Sequence, residues 1–359
     1  MVSQSSAITS QTPSLEIDAS RQFTSWLAEQ WASITFTTYQ AGKVFFIGLQ
    51  QSGKLSVFER TFERCMGLYA QGSTLYMSTL YQLWRLENAL QPGQVHNGYD
   101  AVYVPQVGYI TGDLDVHDVV VGKMGKTGEN SVVFVNTLFS CLATVSDTHS
   151  FVPLWQPPFI SRLAAEDRCH LNGLALRDGQ PAYVTAVSQS DIVEGWREKR
   201  RDGGCVIEVE SNQVIVSGLS MPHSPRWYKG KLWLLNSGTG EFGYVDRKRG
   251  SFEPVAFCPG YLRGLAFSGD FAIVGLSKPR ANKSFNGLVL NERLQSKDAQ
   301  PRCGLLVIDL RSGDIVHSLR LEGVVSELYD IQILSKIQCP MAIGFKSAEI
   351  CRVISMGKR

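Results

Sequence analysis

The stretch that decides the fold is KLWLLNSGTGEFGYVDRKRGSFEPV, residues 231–255. The apolar run KLWLLN is followed by the small, polar turn SGTG, a second run, FGYVD, and the turn RKRG before a third run begins. Short β-branched and aromatic runs separated by such turns are typical of antiparallel strands joined by hairpins. The stretch therefore predicts three neighbouring strands of one small sheet.

The same unit recurs along the chain. Its opening segments begin at residues 64, 117, 170, 223, 261 and 329, and the copies HLNGLAL (170–176) and YLRGLAF (261–267) match most closely. A period near 50 residues with four strands in each unit is typical of a β-propeller. Six openings predict six blades.

We therefore predict an all-β protein: a six-bladed β-propeller of four-stranded blades over residues 23–359, with a short helix at 23–31 and a disordered segment at 1–22. The ring must close, because an open sheet edge invites unwanted pairing. Three strands follow Tyr329, and residues 54–60 are expected to supply the outer strand that the last blade lacks. Two more strands, near 34–38 and 43–49, are then surplus, and either cap the ring or belong to a seventh, split blade.

Composition excludes several classes of protein. The 359 residues are 44% hydrophobic and 19% charged, with a net charge of +2, so neither disorder nor a nucleic-acid partner is expected. Residues 1–20 lack the basic and apolar regions of a secretory signal, so none is expected, and no apolar stretch is long enough to span a membrane. Its eight cysteines are scattered without a CxxC pair, which favours small buried side chains in a reduced, cytoplasmic protein.

Six residues that open the repeats are expected at one end of the central channel, on the innermost strands: Arg64, His117, His170, His223, Tyr261 and Tyr329. Three of the six histidines of the chain fall at this position on consecutive blades. Neutral imidazoles that converge on one point are a ligand set for zinc, copper or iron, with an open position for water or substrate. A divalent transition metal is therefore predicted at His117, His170 and His223.

The other three opening residues are the predicted catalytic groups. Arg64 would bind a carboxylate or an oxyanion through two parallel hydrogen bonds. Tyr261 or Tyr329 would donate or accept a proton.

Polar neighbours surround these positions: Asp115, Asp118, Asn172, Arg263, Glu327 and Asp330. A carboxylate beside a metal-binding histidine orients its ring, although the same residues also suit turns at strand starts. Asn172 and Arg263 would bond a ligand or each other. The alternative for the whole ring is a set of polar side chains that satisfy one another around channel water.

Two long insertions, residues 188–203 and 277–302, both join a second strand to a third. This connection lies at the end of a blade where the innermost strand begins, so both insertions are expected over the same mouth. Loops of this length often cover functional sites. The basic run GWREKRRDGG (195–204) in the first insertion either attracts an acidic substrate or is a solvated surface loop.

The sequence resembles a family of uncharacterised bacterial proteins of about this length, through TTYQAGKVFFIG (37–48), CHLNGLAL (169–176) and MPHSPRWYKGKLWLLNSGTGEFG (221–243). It is more distantly similar, by residue type, to the peptidyl-hydroxyglycine amidating lyases. In those six-bladed propellers three channel histidines hold zinc beside arginine and tyrosine. The resemblance implies a propeller with a three-histidine site, although here the histidines occupy consecutive blades.

Two functions follow as hypotheses. The first is a metal-dependent lyase or hydrolase that acts on a small carboxylate-bearing or peptide-derived molecule at the mouth. The second is a non-catalytic propeller that presents its mouth or rim to a protein partner.

Overall fold

The apolar runs form strands as expected, because their side chains are buried on both faces between neighbouring sheets. The structure, a computed structural model, describes residues 14–124, 129–278 and 287–356. Five of the six residues of the decisive run KLWLLN are buried, and Trp233 stacks on Phe242 of the next strand with ring centroids 5.2 Å apart. Packing on both faces explains why such strands are continuously apolar rather than alternating.

The bounds of the elements follow the predicted runs closely. In the first half of the chain the strands are β1 (Glu16–Ala19), β2 (Ala32–Thr38), β3 (Lys43–Leu49), β4 (Leu55–Thr61), β5 (Leu68–Gln71), β6 (Thr74–Ser78), β7 (Gln82–Asn88), β8 (Ala101–Ile110), β9 (Val116–Lys123), β10 (Asn130–Asn136), β11 (Cys141–Thr144), β12 (Val152–Trp155) and β13 (Leu171–Arg177). In the second half they are β14 (Gln180–Ala186), β15 (Gly204–Glu208), β16 (Gln213–Leu219), β17 (Pro222–Tyr228), β18 (Lys231–Asn236), β19 (Glu241–Asp246), β20 (Ser251–Phe257), β21 (Tyr261–Ser268), β22 (Phe271–Ser277), β23 (Gly304–Asp309), β24 (Ile315–Glu322), β25 (Ile331–Ser335) and β26 (Pro340–Ala342). The helices are α1 (Phe23–Glu29) and α2 (Val289–Ser296), with 3₁₀ helices at Gly195–Lys199 and Ala348–Cys351.

Six sheets form six blades, so the predicted six-bladed propeller is confirmed and the seven-bladed alternative is wrong. From the innermost strand outward, the blades are β5 to β8, β9 to β12, β13 to β16, β17 to β20, β21 to β24, and β25 followed by β2, β3 and β4. Blades one and five each carry a fifth, outer strand, β26 and β1 respectively.

The predicted closure of the ring is wrong in its distribution of strands. Only one C-terminal strand, β25, enters blade six, and it pairs antiparallel with β2 through five residue pairs, such as Ile34 with Ile333. The two strands predicted as surplus, β2 and β3, are the second and third strands of this blade. Its outer strand is β4, in agreement with the prediction for residues 54–60. The second of the three predicted C-terminal strands, PMAIGF (340–345), contains β26, which pairs parallel with β8 of blade one. The third, EICRVI (349–354), does not form a strand, and its first residues belong to a 3₁₀ helix.

The N-terminal segment is partly ordered. Within the range predicted to be disordered (1–22), β1 pairs with β24 of blade five, whereas residues 1–13 lie outside the described part of the chain. The predicted helix is confirmed as α1, which buries Phe23, Trp26 and Leu27 against blades five and six. All eight cysteines are unpaired and only Cys351 is exposed, in agreement with their predicted role as small buried side chains.

Each blade is fixed to the next by a side chain that donates a hydrogen bond to the innermost strand of its neighbour. Five donors are hydroxyls at the ends of second strands and the sixth is an amide. Around the ring the bonds are Thr37 to the Met66 carbonyl, Ser78 to Val116 (3.0 Å), Thr137 to Leu171 (2.7 Å), Asn172 to Pro222 (3.1 Å), Ser237 to Leu262 (2.7 Å) and Ser277 to Leu328 (3.0 Å). These bonds set the register of the six innermost strands at the mouth.

Arg226 bridges the channel below the mouth. Its guanidinium binds Asp118 of blade two (2.7 Å) and Asp330 of blade six (3.2 Å), and all three side chains are largely buried. Both carboxylates also accept backbone N–H groups, Asp118 from Leu174 and Asp330 from Leu68. The bridge separates the mouth from a cavity of about 300 Å³ at the other end of the channel, which Arg226 also lines.

Replacing Arg226 by Met is expected to lower the free energy of unfolding by about 3–5 kcal/mol, because two buried carboxylates lose their shared counter-charge. The matched control is Arg311→Met, which removes an exposed partner of Asp309 and is expected to cost about 1 kcal/mol or less. Urea denaturation of both variants measures the difference. Equal losses in the two variants would contradict the structural role of the bridge.

Candidate active site at the mouth of the propeller

The six opening residues lie at two alternating registers, whereas the sequence predicts a single register for all of them. On blades one, three and five a glycine packs against the next blade: Gly67 on Asp118, Gly173 on Ser224 and Gly264 on Asp330. A Cβ atom at each of these glycines would lie 3.1 Å from the backbone of its neighbour. The close approach pairs the blades two by two and gives the ring an approximate threefold repeat.

The two registers follow from this pairing. Arg64, His170 and Tyr261 each precede one of the three glycines by three residues, on the odd blades. On the even blades, each opening residue directly precedes the residue that the glycine contacts: His117 before Asp118, His223 before Ser224 and Tyr329 before Asp330. These three opening residues are spaced evenly along the chain, two repeat units apart. The even-blade residues belong to an inner ring completed by Met66, Asn172 and Arg263, so Arg263, not Arg64, occupies the inner ring.

His117 and His223 are held in the same way on blades two and four. In each case Nδ1 lies 2.8 Å from the carbonyl oxygen two residues earlier, that of Asp115 or Met221. A hydroxyl also contacts each Nδ1, Thr137 at 2.8 Å and Ser237 at 3.1 Å. Since both hydroxyls donate their single proton to carbonyls of the next blade, they can only accept here. Nδ1 therefore carries the proton, and Nε2 keeps its lone pair.

His170 is held by a carboxylate instead of a carbonyl. Its Nδ1 lies 2.8 Å from Oδ2 of Asp167, which also accepts a hydrogen bond of 2.7 Å from Nε1 of Trp196. The Trp196 ring stacks on the His170 ring at 4.1 Å. An aspartate that fixes the ring and the tautomer of a histidine leaves Nε2 as a base, which is the arrangement of a His–Asp dyad.

A continuous chain of ring contacts joins five of the six opening residues through Arg263. The centroid distances are 4.9 Å from His170 to His117, 5.5 Å from His117 to Tyr329 and 5.6 Å from Tyr261 to His223, while the guanidinium of Arg263 lies 4.5 Å from the Tyr329 ring and 5.4 Å from the Tyr261 ring. His117, His170, Tyr329 and Arg263 line a cavity of about 170 Å³.

Arg64 lies outside this chain, at the rim. Its guanidinium binds Asp113 at 2.6 Å and Asp115 at 3.1 Å and lies over the Tyr39 ring. The predicted role of binding a substrate carboxylate therefore suits Arg263 better. Among the described residues, no carboxylate lies within 4.0 Å of Arg263, although Asp115 and Glu327 act on its charge from farther away. Its Nε is buried without a hydrogen-bond partner in the same part of the chain.

The six predicted supporting residues lie in different surroundings. Asp115 holds His117 through its carbonyl, and Asn172 and Arg263 belong to the inner ring. Asp118 and Asp330 point deeper and bind Arg226, so they do not orient a histidine ring. Glu327 is buried and contacts other groups of the chain.

Both insertions reach the mouth, as the strand order predicts. Trp196 of the first insertion lies in one apolar cluster with Leu288, Leu290 and Leu294 of the second, and Arg201 binds Glu292 at 2.9 Å across the two insertions. Residues 279–286 of the second insertion lie outside the described residues. Asp167 and Trp196 were not identified from the sequence. Asp167 precedes His170 by three residues, but only the fold brings Trp196 to that pair.

Burial sets the charge state of the mouth. It lowers the pKa of His117 to about 3, with Asp115 opposing the shift, and it lowers the pKa of His223 well below its ordinary value, with Arg263 acting in the same direction. Burial also raises the pKa of Tyr329 well above its usual range, although Arg263 opposes this. Neutral imidazoles and a protonated phenol therefore surround one guanidinium.

The fit of a metal ion to this geometry is incomplete. The described residues contain no group of three His, Cys, Asp or Glu side chains close enough together to hold a metal ion. His117 and His170 are in ring contact, whereas His223 contacts Tyr261. A three-histidine centre would require the ring of His223 to turn toward the other two.

Comparisons with known proteins bear on the fold. A family model described as a domain of unknown function (DUF4915) matches residues 21–343, and no curated protein matches the sequence. A chain in the crystal structure of a nidogen/laminin complex aligns with 10% identity over 86% of this chain and all of its own length, with a TM-score of 0.52. A protein of unknown function from Bacteroides caccae aligns with 9% identity over 84% of this chain and 98% of its own, with a TM-score of 0.49.

The nidogen/laminin likeness shows the fold alone, and none of these findings gives evidence for the predicted similarity to amidating lyases. In the part of the chain that the structure describes, no helix is both long and apolar enough to cross a membrane. The cytoplasmic location stays a prediction.

Lowering the pH from 7 to 5 is expected to reduce the free energy of unfolding. Unfolded histidines gain a proton near pH 6.5, whereas the lowered pKa values of His117 and His223 keep these rings neutral in the fold. This stabilisation is complete above about pH 6.5 and decreases below it, by about 2 kcal/mol for each histidine at pH 5.

Urea denaturation at both pH values should show a smaller loss for His117→Gln/His223→Gln than for the wild type. The control is His96→Gln/His149→Gln, which replaces two exposed histidines. Asp330, whose pKa burial raises, acts in the opposite direction but is common to all three proteins. Equal losses in the wild type and both double variants would show that the mouth histidines are not neutral.

Proposed function

Because the chain belongs to the DUF4915 family, a domain of unknown function, we propose a function from the chemistry of its own mouth: a hydrolase or lyase for a small carboxylate-bearing or peptide-derived molecule. The observation that supports this proposal is the chain of contacts from the His170–Asp167 dyad to Arg263 around one small cavity. A base, a hydrogen-bond donor and a carboxylate-binding cation then face the same bound molecule.

Arg263 binds the carboxylate of the substrate in this mechanism. Its side chain is almost entirely buried and has no carboxylate within 4.0 Å among the described residues, so a bound anion would supply a direct counter-charge. The guanidinium contacts the rings of both Tyr261 and Tyr329, which restrict its movement. Binding one end of the substrate here orients the other end toward His170.

His170 acts as the general base. Its Nε2 removes a proton from water or from the substrate carbon, and Asp167 stabilises the imidazolium that forms. Trp196 stacks on the ring and donates to Asp167, so it positions the dyad and shields it from solvent. Tyr329 keeps its proton at neutral pH, so its hydroxyl donates a hydrogen bond to the carboxylate beside Arg263. The proton that His170 removes is passed on to the leaving group.

This proposal is tested with two activated esters, one neutral (4-nitrophenyl acetate) and one carrying a carboxylate (4-nitrophenyl hydrogen succinate). The wild type is expected to hydrolyse the charged ester faster. His170→Gln and Asp167→Asn should lower kcat/KM by about 10²–10⁴-fold, the usual contribution of general-base catalysis. Arg263→Met should remove the preference for the charged ester, while the exposed control His149→Gln should leave both rates unchanged. Full activity in His170→Gln would contradict the proposed base.

A metal-dependent form of the same reaction is a second candidate, and one observation favours it. In all three histidines, Nδ1 is hydrogen-bonded to an oxygen acceptor, and metal-binding histidines usually have such a bond from the ring nitrogen that does not bind the metal. Zinc, copper or iron would then bind Nε2 of His117 and His170, with His223 as a third ligand after its ring has turned. Such an ion would lower the pKa of a bound water to about 7.

Elemental analysis of protein purified without chelators decides this candidate. A metal centre predicts about one zinc, copper or iron per chain, with loss of the metal in His170→Ala and its retention in His149→Ala. If the wild type and His170→Ala are equally free of metal, the metal-dependent form is abandoned.

The non-catalytic alternative, a propeller that presents its mouth to a protein partner, has one supporting feature. Ile192 and Val193 on the first insertion are 70% and 62% exposed, and large apolar side chains with that exposure are common at interaction surfaces. In that case substituting both with Ser would abolish binding, whereas His170→Gln would not.

A further inference from the structure

Four polar atoms of the inner ring are buried and have no hydrogen-bond partner among the described residues: Asn172 Oδ1, His223 Nε2, Arg263 Nε and Tyr329 Oη. Their residues are 9% exposed or less and lie at one register on the innermost strands of blades three, four, five and six. Buried polar atoms in native proteins nearly always have partners. Four exceptions in one ring point to a ligand, and two of the four residues, Arg263 and Tyr329, line the cavity.

The hydrogen-bonding character of each atom follows from its other contacts and its chemistry. The Asn172 amide nitrogen donates to the Pro222 carbonyl, so its free atom is the oxygen, an acceptor. The Nδ1 proton of His223 is bound by the Met221 carbonyl, so its Nε2 is also an acceptor. Arg263 Nε can only donate, whereas the Tyr329 hydroxyl is able to donate or accept.

The two kinds of atom occupy neighbouring parts of the ring. The acceptors are on adjacent blades three and four, and the two atoms that are able to donate are on adjacent blades five and six. A ligand that satisfies all four must therefore present an acceptor toward Arg263 and a hydrogen-bond donor toward Asn172 and His223. A second acceptor oxygen of the same group would also suit the Tyr329 hydroxyl. The cavity of about 170 Å³ that Arg263 and Tyr329 line has room for about six non-hydrogen atoms of the ligand, at ~30 Å³ for each water-sized group.

We propose that the inner ring binds a small carboxylate that carries a hydroxyl or ammonium group on the neighbouring carbon. The carboxylate binds Arg263 and Tyr329, and the hydroxyl or ammonium donates to Asn172 and His223. This inference rests on the proposed function, since it names the substrate class of the same mouth. It excludes a three-histidine metal centre, because His223 uses its Nε2 lone pair for the ligand.

Isothermal titration calorimetry with three carboxylates of matched size tests the proposal. Propionate has no donor, lactate has a hydroxyl and alanine has an ammonium, so the last two also show which donor the site prefers. In the wild type, lactate or alanine is expected to bind at least about tenfold more tightly than propionate. Replacing Asn172 by Leu should reduce that ratio to near one without abolishing the binding of propionate.

Tyr329→Phe provides a variant that should fold, because the hydroxyl it removes has no partner among the described residues. It is expected to lower the affinity for all three carboxylates by a similar factor and to leave the ratio of their affinities unchanged. The matched control is Tyr228→Phe, which removes an exposed hydroxyl that binds the Gly269 carbonyl and should change no affinity.

The different failures are distinguishable. If the three carboxylates bind equally tightly, the donor site at Asn172 and His223 is wrong, but the carboxylate site of the proposed function stands. If none of them binds, or if Arg263→Met leaves the affinities unchanged, both proposals are wrong. One metal ion per chain that is lost in His223→Gln would also overturn the proposed role of His223 as an acceptor for the ligand.

Discussion

The closure of the ring by a single strand is the constraint on which the site depends. β25 at the C-terminal end pairs with β2 near the N-terminal end, and this pairing completes blade six. Backbone hydrogen bonds between Tyr329 and Thr37 (2.8 Å) and between Thr37 and Asp330 (3.0 Å) continue the pairing to the mouth. Closure therefore places Tyr329 beside His117 and Arg263, and Asp330 beside Arg226. Without it, neither the inner ring nor the bridge below would form.

The number of blades could be predicted from the sequence, but the way in which the ring closes could not. Repeated openings and short apolar runs are local features of the sequence. In blades one to five, the four strands from the innermost outward are also consecutive in the chain. The partner of β25 is almost 300 residues away, and nothing in the run ASITFTT distinguishes a second strand of blade six from a cap. Because the repeat is counted from the innermost strand of each blade, β2, β3 and β4 come before its first copy. Their membership in blade six is therefore not apparent from the repeat.

The register at the mouth shows the same limit on a smaller scale. Innermost strands are interrupted near His117, Asn172, His223 and Arg263, where their pairing with the second strand shifts. Such a shift changes which side chains face the channel. The sequence therefore predicts which histidines and tyrosines lie at the mouth, but it gives Arg64 the position that Arg263 occupies. Asp118 and Asp330 were recognised as acids beside the opening residues, but Arg226, which binds both, lies in another blade.

What the mouth can do chemically depends on imidazoles that stay neutral and carry their proton on Nδ1. Nuclear magnetic resonance of ¹⁵N-labelled histidine side chains measures both properties for each ring. We predict that His117 and His223 remain neutral between pH 7 and pH 5 and that their proton is on Nδ1, so that Nε2 is an acceptor. Rings that titrate near pH 6.5, or that carry the proton on Nε2, would contradict the account.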